Sequence, residues 1–342
     1  MKKPEGKAAI SALMKKMIDN LGRKIDYLRI SVTDRCNLRC IYCMPEDGIT
    51  LTKREEILRE DEFVRICSVM AELGITKAKI TGGEPLLRSH VSDMIGRIKG
   101  VPGIEKVTLT TNGILLKNQM ESLAMSGLDS INISLDTLDR NLFMKISRRD
   151  LLNETLEGIK EAIKYPEIQL KINCVPLGID AQNLYEIAEI AERFPIHVRF
   201  IEMMPVGYGK NFAGISQDTI FDNLQKRYGK LIPYKGEPIG NGPCRYYEID
   251  GFKGKIGFIS AISHKFCSEC NRIRLTSKGY LKTCLQYTVG ADLKDVIRNG
   301  GNNDELKKTI IRALSQKPDG HNFSGKITRD NTESLCMSQI GG

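Results

Sequence analysis

Strand-like and helix-like stretches alternate along the first two thirds of the chain. Six short apolar or alternating stretches are typical of strands: Tyr27–Val32, Ala78–Thr81, Lys106–Thr110, Ser130–Ser134, Gln169–Val175 and His197–Ile201. Amphipathic stretches lie between them: Asp61–Leu73, Val91–Lys99, Leu116–Met125, Leu152–Lys164 and Asn183–Glu192. Regular strand–helix alternation predicts a parallel sheet covered by helices. Six units are fewer than a closed barrel needs, so we predict an α/β fold, an incomplete (βα)6 TIM-like barrel.

The pattern changes after a stretch rich in glycine and proline, residues 229–243. Beyond it the chain looks irregular, with short strands predicted around Tyr246–Ile249, Lys255–Ile259 and Ile273–Thr276. Because a six-unit barrel is open on one side, we expect this C-terminal portion to cover the opening. The expected parts are an N-terminal extension (1–20), a partial barrel (21–228) and a C-terminal region (229–342).

Composition narrows the class of protein. A chain of 342 residues with 41% hydrophobic residues is globular. It has no apolar run of about 18 residues, so no membrane span is expected. Its ten cysteines without a secretion signal indicate a reducing compartment, which predicts a cytoplasmic protein. The net charge of +9 occurs without a nucleic-acid motif, so an anionic small ligand is a sufficient reason for it.

Six of the cysteines form two triplets, and each triplet is one ligand short of a four-ligand site. The first triplet is Cys36, Cys40 and Cys43, with C-x-x-x-C-x-x-C spacing. In the second triplet, Cys267 and Cys270 form a C-x-x-C pair and Cys284 follows later in the chain. Structural zinc needs four protein ligands, and Cys244 or His264 could complete the second triplet. An iron–sulfur cubane held by three thiolates instead leaves one iron open to a small molecule. Chance and zinc stay open as alternatives at this point.

Polar motifs follow the predicted strands at their carboxyl ends, where barrels carry their functional residues. The first triplet follows the first strand, and Gly82-Gly83-Glu84 ends the second. Thr110 and Ser134 end the third and fourth strands. Glycines at such a strand end let a ligand approach the backbone closely. The sequence therefore predicts one site at this end of the barrel.

With an aromatic residue, Tyr42, before its last cysteine, the first triplet resembles that of radical S-adenosylmethionine (SAM) enzymes. The similarity is closer to one family, GTP 3′,8-cyclase, also called the molybdenum cofactor biosynthesis protein A family. It is carried by residues 25–45, 81–88, 110–113, 131–139, 200–207 and 267–285 and by the terminal Gly341-Gly342 pair. The similarity runs from about residue 19 to the last residue, and the second triplet and the glycine pair are specific to the family within its superfamily.

The resemblance implies a reaction and its cofactors. It implies two [4Fe-4S] clusters and SAM, which binds the open iron of the first cluster. Reductive cleavage would give methionine and a 5′-deoxyadenosyl radical, which takes a hydrogen from the ribose 3′ carbon of GTP. Closure onto carbon 8 of guanine would give (8S)-3′,8-cyclo-7,8-dihydroguanosine 5′-triphosphate. The open iron of the second cluster would bind the guanine base through a ring nitrogen.

The resemblance also implies site residues. SAM contacts are expected from Tyr42, Gly82, Gly83, Glu84, Ser134 and Met204, and GTP contacts from Arg29, Lys79, Thr110, Lys171, Arg199, Arg272 and Arg274. Each has an ordinary alternative: Ser134 as a helix cap, Met204 as core filling, Thr110 as a loop hydrogen bond, and the cations as solvated surface. The family usually has arginine where this chain has Lys79, and Lys77 is a possible substitute.

The tail and the partners complete the expectations. Gly341 and Gly342 are expected to enter the cavity and act in catalysis. The terminal carboxylate needs a basic partner, for which Arg199 is a guess. The alternative is a disordered C-terminus. Expected partners are GTP, cyclic pyranopterin monophosphate synthase as receiver of the product, and a low-potential reductant such as flavodoxin or ferredoxin. A homodimer is an option, and neither nucleic acid nor membrane is expected. Competing classes are a peptide-maturing radical SAM enzyme and a zinc or nucleic-acid-binding protein.

Overall fold

Six parallel strands form the centre of one large sheet. The computed structural model describes residues 17–179, 182–323 and 332–341. In chain order the strands are β1 (Tyr27–Ser31), β2 (Lys77–Thr81), β3 (Lys106–Thr111), β4 (Ser130–Ser134), β5 (Gln169–Cys174) and β6 (His197–Ile201). The helices around them are α1 (Glu60–Leu73), α2 (Val91–Lys99), α3 (Leu116–Met125), α4 (Arg140–Ser147), α5 (Leu152–Ala162) and α6 (Leu184–Arg193). The predicted six-unit partial barrel is confirmed.

The C-terminal portion extends this sheet from both of its edges. Its elements are α7 (Gln217–Tyr228), β7 (Ile232–Pro233), β8 (Arg245–Glu248), β9 (Ile256–Ile259), β10 (Arg272–Leu275), β11 (Tyr280–Lys282), β12 (Gly290–Asp292), α8 (Leu293–Arg298), α9 (Asn303–Ser315) and α10 (Met337–Ile340). Strand β9 pairs in parallel with β6, and β10 pairs in parallel with β1. The sheet has twelve strands from β12 to β7 and does not close into a barrel. The C-terminal strands thus border the open side, as expected.

Five helices of the described residues were not predicted from the hydrophobic pattern: α4, α7, α8, α9 and α10. Among them, α4 and α9 begin at side-chain caps that the sequence shows. The Asp139 carboxylate accepts from the Leu142 backbone N–H at 2.6 Å, and Asn302 and Glu305 cap each other's backbone N–H at 3.0 and 2.9 Å. Cap motifs would therefore have located α4 and α9 where hydrophobic spacing did not. No helix in the described part of the chain is long and apolar enough to cross a membrane.

The two faces of the central strands differ in polarity. Outward side chains such as Ile30, Ile80 and Leu109 are fully buried against the helices. Inward positions between them carry charged and polar residues, for example Arg29 and Lys79. Successive strand residues point to opposite faces, so one strand can supply both surfaces. The hydrophobic core therefore lies between sheet and helices, and the inside of the partial barrel is a cavity whose lining includes charged and polar side chains.

Candidate active site

A cavity of about 300 Å³ lies inside the partial barrel. The first cysteine triplet, every predicted SAM contact and every predicted GTP contact line it: Cys36, Cys40, Cys43, Tyr42, Gly82, Gly83, Glu84, Ser134, Met204, Arg29, Lys79, Thr110, Lys171, Arg199, Arg272 and Arg274. These residues come from seven strands and the loops after them, so they meet only because the sheet curves. The roles of the individual residues remain predictions, but the structure places them together.

The loop that carries the first triplet is held against Gly82 and Gly83. The Gly83 N–H donates to the Thr33 carbonyl at 2.8 Å, and the Glu84 N–H donates to the Arg35 carbonyl at 2.7 Å. A Cβ atom on Gly82 would lie 2.6 Å from the Thr33 oxygen, and one on Gly83 would collide with the Arg35 carbonyl. The structure thus gives these glycines a second physical reason besides ligand approach, which is the close packing of the cysteine loop on the end of β2.

The same loop is held on its other side by the end of α4. The Arg39 N–H donates to the Ser147 carbonyl at 2.9 Å. The Arg148 guanidinium donates to the carbonyls of Arg39 and Met44 at 3.1 and 3.2 Å, and that of Arg39 donates to the Cys36 carbonyl at 2.7 Å. Arg148 has φ 55°, a left-handed conformation that side chains other than glycine rarely adopt. Backbone strain at Arg148 therefore accompanies the fixation of the triplet.

The thiols of the first triplet are in an environment that disfavours free thiolates. Burial raises the pKa of Cys36 to about 11, although a hydrogen bond from the Leu38 N–H opposes the shift. Burial and the neighbouring Cys36 raise the pKa of Cys43 to about 12, and burial and Cys43 raise that of Cys40 well above its usual value. Three partly buried thiolates at one place need a cationic partner. The iron of a [4Fe-4S] cluster is such a partner, so these residues fit that group.

A buried carboxylate that the sequence analysis missed lies beside the triplet. The Tyr42 hydroxyl donates to Asp136 Oδ2 at 2.7 Å, and the Val175 N–H donates to Oδ1 at 2.8 Å. Burial raises the pKa of Asp136 to about 6, although both hydrogen bonds oppose the shift. Asp136 follows Ser134 by two residues, so the rule that functional residues cluster at strand ends could have identified it. It fixes the ring of Tyr42 at the cavity wall.

Glu84 is a second buried carboxylate of this wall. It accepts hydrogen bonds from the Leu86 N–H at 3.0 Å and from the Thr111 hydroxyl and the Asn112 N–H at 2.7 Å each. Burial raises the pKa of Glu84 to about 7 in spite of these donors. The side chain thus ties the end of β2 to the end of β3, and it lines the cavity as predicted.

Three cations stand side by side on adjacent strands. Arg274 on β10 is in register with Arg29 on β1, which is in register with Lys79 on β2. Adjacent strands are about 4.8 Å apart, and two unit charges at about 5 Å repel by roughly 3 kcal/mol at an effective dielectric constant of about 20. Burial, then repulsion from Arg199 and Arg29, lowers the pKa of Lys79 well below its usual value. This row of cations favours an anionic ligand.

Further cations face the same space from the other side of the cavity. The Lys171 side chain is buried, and burial and repulsion from Arg199 lower its pKa to about 7. Arg199 donates to Asn132 Oδ1 at 2.6 Å and also to Asn173 Oδ1, which are neutral acceptors. Lys77, the predicted substitute for Lys79, instead pairs with Asp26 at 2.9 Å and does not line the cavity.

The second triplet lies next to Arg272, and its cysteines do not line the cavity. Arg272 lines it, lies over the Phe266 ring at 4.9 Å and contacts Cys270. Burial acts to raise the pKa of Cys270, but Lys317 and Arg272 outweigh it and lower that pKa to about 7. This environment favours a thiolate, as a metal ligand requires. Lys317 was missed from the sequence, since no motif distinguishes it from other lysines.

The zinc alternative for the second triplet gains no support from the geometry. His264 is hydrogen-bonded to Asp218 at 2.8 Å. All ten cysteines are free thiols.

The C-terminal tail enters the barrel. Gly341 is buried, and its carbonyl accepts from Arg274 at 2.7 Å. It has φ 77°, and a Cβ atom there would lie 2.6 Å from Thr81 Oγ1, so only glycine fits. The Ser338 N–H hydrogen-bonds the Cys43 thiol. Arg274 thus contacts the tail at Gly341. The guess that Arg199 pairs with the terminal carboxylate concerns Gly342, which lies outside the described residues, so it stays a prediction.

The sequence and the fold match known proteins. The Radical SAM superfamily profile matches residues 30–194, and the Molybdenum Cofactor Synthesis C profile matches residues 196–323. Streptococcus suis SuiB, solved with S-adenosylmethionine, superposes with a TM-score of 0.61 at 16% identity over 92% of this chain and 70% of its own. Native anSMEcpe with bound AdoMet superposes with a TM-score of 0.53 at 14% identity over 87% and 82%. The chain is a radical SAM protein.

Curated relatives define the family more closely. The GTP 3′,8-cyclase of Clostridium perfringens strain SM101 is 42% identical over 328 residues, which is 95% of this chain and 100% of the relative. That of Desulforamulus reducens is 41% identical over 330 residues, with the same coverage. The chain belongs to the GTP 3′,8-cyclase family.

Proposed function

We propose that this protein is a GTP 3′,8-cyclase of molybdenum cofactor biosynthesis. It converts GTP to (8S)-3′,8-cyclo-7,8-dihydroguanosine 5′-triphosphate and forms 5′-deoxyadenosine and methionine from SAM. One observation carries the proposal: six cationic side chains line the same cavity as the first cysteine triplet, namely Arg29, Lys79, Lys171, Arg199, Arg272 and Arg274. The named activity of the curated relatives supports it.

The cations account for the triphosphate. GTP carries about four negative charges near neutral pH, and arginine and lysine are the usual partners of phosphate oxygens. Lys79, Lys171, Arg199 and Arg274 are each no more than 8% exposed, so their charges are costly in the ligand-free protein. A bound polyanion relieves this cost, and the binding free energy holds the ribose and base in place for the reaction.

The residues around the first triplet serve the radical step. When bound, the cluster on Cys36, Cys40 and Cys43 supplies the electron that splits SAM into methionine and a 5′-deoxyadenosyl radical. Tyr42, Gly82, Gly83, Glu84, Ser134 and Met204 would bind and orient SAM. Because the radical attacks most C–H bonds, the walls must exclude water and hold only the ribose 3′ carbon within reach. The enclosed position of the triplet inside the barrel suits that task.

The second triplet and the tail belong to the substrate end. Cys267, Cys270 and Cys284 would hold the second [4Fe-4S] cluster, which would supply an open iron for a ring nitrogen of guanine. The lowered pKa of Cys270 supports a metal-ligating role. Gly341 and Gly342 act in catalysis, and the hydrogen bond from Arg274 to Gly341 supports a tail that stays inside the cavity.

The proposal extends to the setting of the enzyme. It works in the cytoplasm with a low-potential reductant such as flavodoxin or ferredoxin, and cyclic pyranopterin monophosphate synthase takes its product. Residues 21–228 act as the radical SAM partial barrel, and residues 229–342 supply the second cluster and the tail. The free state of all ten cysteines is compatible with a reducing compartment.

Anaerobic incubation of the reconstituted protein with GTP, SAM and dithionite tests the function. We expect 5′-deoxyadenosine and cyclised nucleotide in equal amounts, and no cyclised product with ATP. A matched variant, Cys40→Ala, should form neither product. Formation of 5′-deoxyadenosine that does not respond to GTP would contradict a cyclase and favour a different radical SAM substrate.

A further inference from the structure

The second cysteine triplet is surrounded by buried positive charge that the proposed reaction does not account for. Lys317 follows α9 and is only 7% exposed. Its ammonium group donates to the Arg272 carbonyl at 2.9 Å and to the Thr283 carbonyl at 2.5 Å, and it lies 3.7 Å from Cys270 Sγ. An ammonium group has three donors, and these three acceptors use all of them.

These contacts join the segments that carry two of the three cysteines. Arg272 and Thr283 are close along the chain to Cys270 and Cys284, respectively, and the Lys317 N–H completes the last turn of α9 through the Leu314 carbonyl at 2.9 Å. The ammonium group therefore fixes both cysteines relative to one helix end. It also fixes the start of β10, whose arginines line the substrate cavity.

A second buried cation does the same for the remaining cysteine. The Arg23 guanidinium donates to the Cys267 carbonyl at 2.8 Å and to the carbonyls of Pro318 and Asp319 at 2.8 and 2.9 Å. It pairs with Asp19 at 2.5 Å. The turn that follows Lys317 is thereby held against Cys267, so both cations form one scaffold around the triplet.

The two cations differ in one respect. Arg23 has a carboxylate partner, but no carboxylate of the described residues pairs with Lys317. A buried, unpaired charge is costly, and such charges are normally paired or face a ligand of opposite sign. A four-iron cluster on three thiolates is anionic, and its potential depends on nearby charge and on hydrogen bonds to its sulfurs. An anionic cluster facing Lys317 would offset the free-energy cost of burying its charge.

We propose that Lys317 is a positioning residue of the second iron–sulfur cluster, one that holds Cys270 and Cys284 in place and supplies the positive charge facing the cluster. The proposal rests on the second cluster of the proposed function. Groups in this position around a metal site typically change metal affinity by about 10- to 100-fold when they are removed. Loss of the positive charge also makes reduction of an anionic cluster harder.

The test uses full-length protein in which Cys36, Cys40 and Cys43 are replaced by alanine, so that only the second site holds iron. In this background we compare Lys317→Met, Lys317→Gln, Lys317→Arg and the control Lys308→Met, which changes an exposed lysine of α9. The readouts are iron and sulfide per chain, the rate of iron loss to a chelator, and the reduction potential followed by electron paramagnetic resonance.

We expect about four irons per chain in the parent and in the Lys308→Met control. Lys317→Met should lose iron about 10 to 100 times faster and shift the reduction potential to a more negative value. Lys317→Gln, which can still donate to the two carbonyls, should shift the potential with a smaller effect on iron loss, and Lys317→Arg should retain the parent potential. If Lys317→Met does not fold, the Lys317→Gln variant still tests the role of the charge.

Equal potentials and equal iron loss in Lys317→Gln and Lys308→Met would overturn the proposal while leaving the second cluster in place. A parent protein that binds no iron would instead overturn the second cluster and, with it, this role of Lys317. The two failures are therefore distinguishable.

Discussion

Replacement of Lys79 by methionine should affect ligand-free stability and GTP binding in opposite directions. Lys79 is 6% exposed, lines the cavity and stands beside Arg29 in the parallel register of β1 and β2. Burial, followed by repulsion from Arg199 and Arg29, lowers the pKa of Lys79 well below its usual value, and like charges about 5 Å apart repel by roughly 3 kcal/mol at an effective dielectric constant of about 20. Methionine keeps most of the apolar stem and removes the buried polar end, so the ligand-free protein should become more stable by about 1–3 kcal/mol.

The same change should weaken GTP binding. A hydrogen bond to a charged group contributes roughly 1.5–3 kcal/mol, which corresponds to about a tenfold to more than a hundredfold loss of affinity. Stability is measured by urea unfolding of the anaerobically reconstituted protein, and affinity by titration calorimetry with GTP. Lys79→Arg, which keeps the charge and adds a bidentate fork of donors, should bind GTP at least as tightly as the parent.

Lys77 offers a matched control in the same strand. It pairs with Asp26 at 2.9 Å, is partly exposed and does not line the cavity. Lys77→Met should cost up to about 1 kcal/mol of stability and leave GTP affinity unchanged. A Lys79→Met protein that is less stable and binds GTP normally would show that Lys79 supports the fold, and would refute the electrostatic reasoning.

Three further predictions concern the pH dependence, the tail and the clusters. In the ligand-free protein, Lys171 has a pKa of about 7, and a bound polyanion raises that pKa. GTP binding therefore takes up a proton above pH 7, and the affinity for GTP falls as pH rises. Calorimetry at pH 8 in two buffers should show this proton uptake, and the uptake should be smaller in Lys171→Met. Deletion of Gly341 and Gly342 should abolish cyclised product, while iron content and SAM cleavage persist because no cysteine ligand is touched; full activity would make the tail dispensable. Cys270→Ala should lower iron from about eight to about four per chain, and complete loss of iron would show that the two sites are not separate.

The sequence sufficed for the sheet and for much of the site because both follow local patterns. Strand–helix alternation located all six central strands to within one residue at their ends. The strand-end rule placed the first triplet and Ser134 in one cavity. Both inferences use information that lies within a few residues of each element.

Other features depend on contacts between distant segments, which no local pattern shows. Lys317 meets Cys270 from 47 positions away, and Arg23 meets Cys267 from 244 positions away. The contact of Arg274 with the tail also depends on three-dimensional placement, since no local pattern links Arg274 to Gly341. The register of β10 beside β1 places Arg274 at the cavity, where its guanidinium donates to the Gly341 carbonyl.

Transfer of the ribose 3′ hydrogen tests the central claim most directly. The reconstituted protein is incubated anaerobically with dithionite, SAM and GTP that carries deuterium at the 3′ carbon, and 5′-deoxyadenosine is analysed by mass spectrometry. The account predicts one deuterium atom in 5′-deoxyadenosine, together with cyclised nucleotide that has lost it. Unlabelled 5′-deoxyadenosine beside intact GTP would contradict a GTP cyclase, whatever the clusters contain.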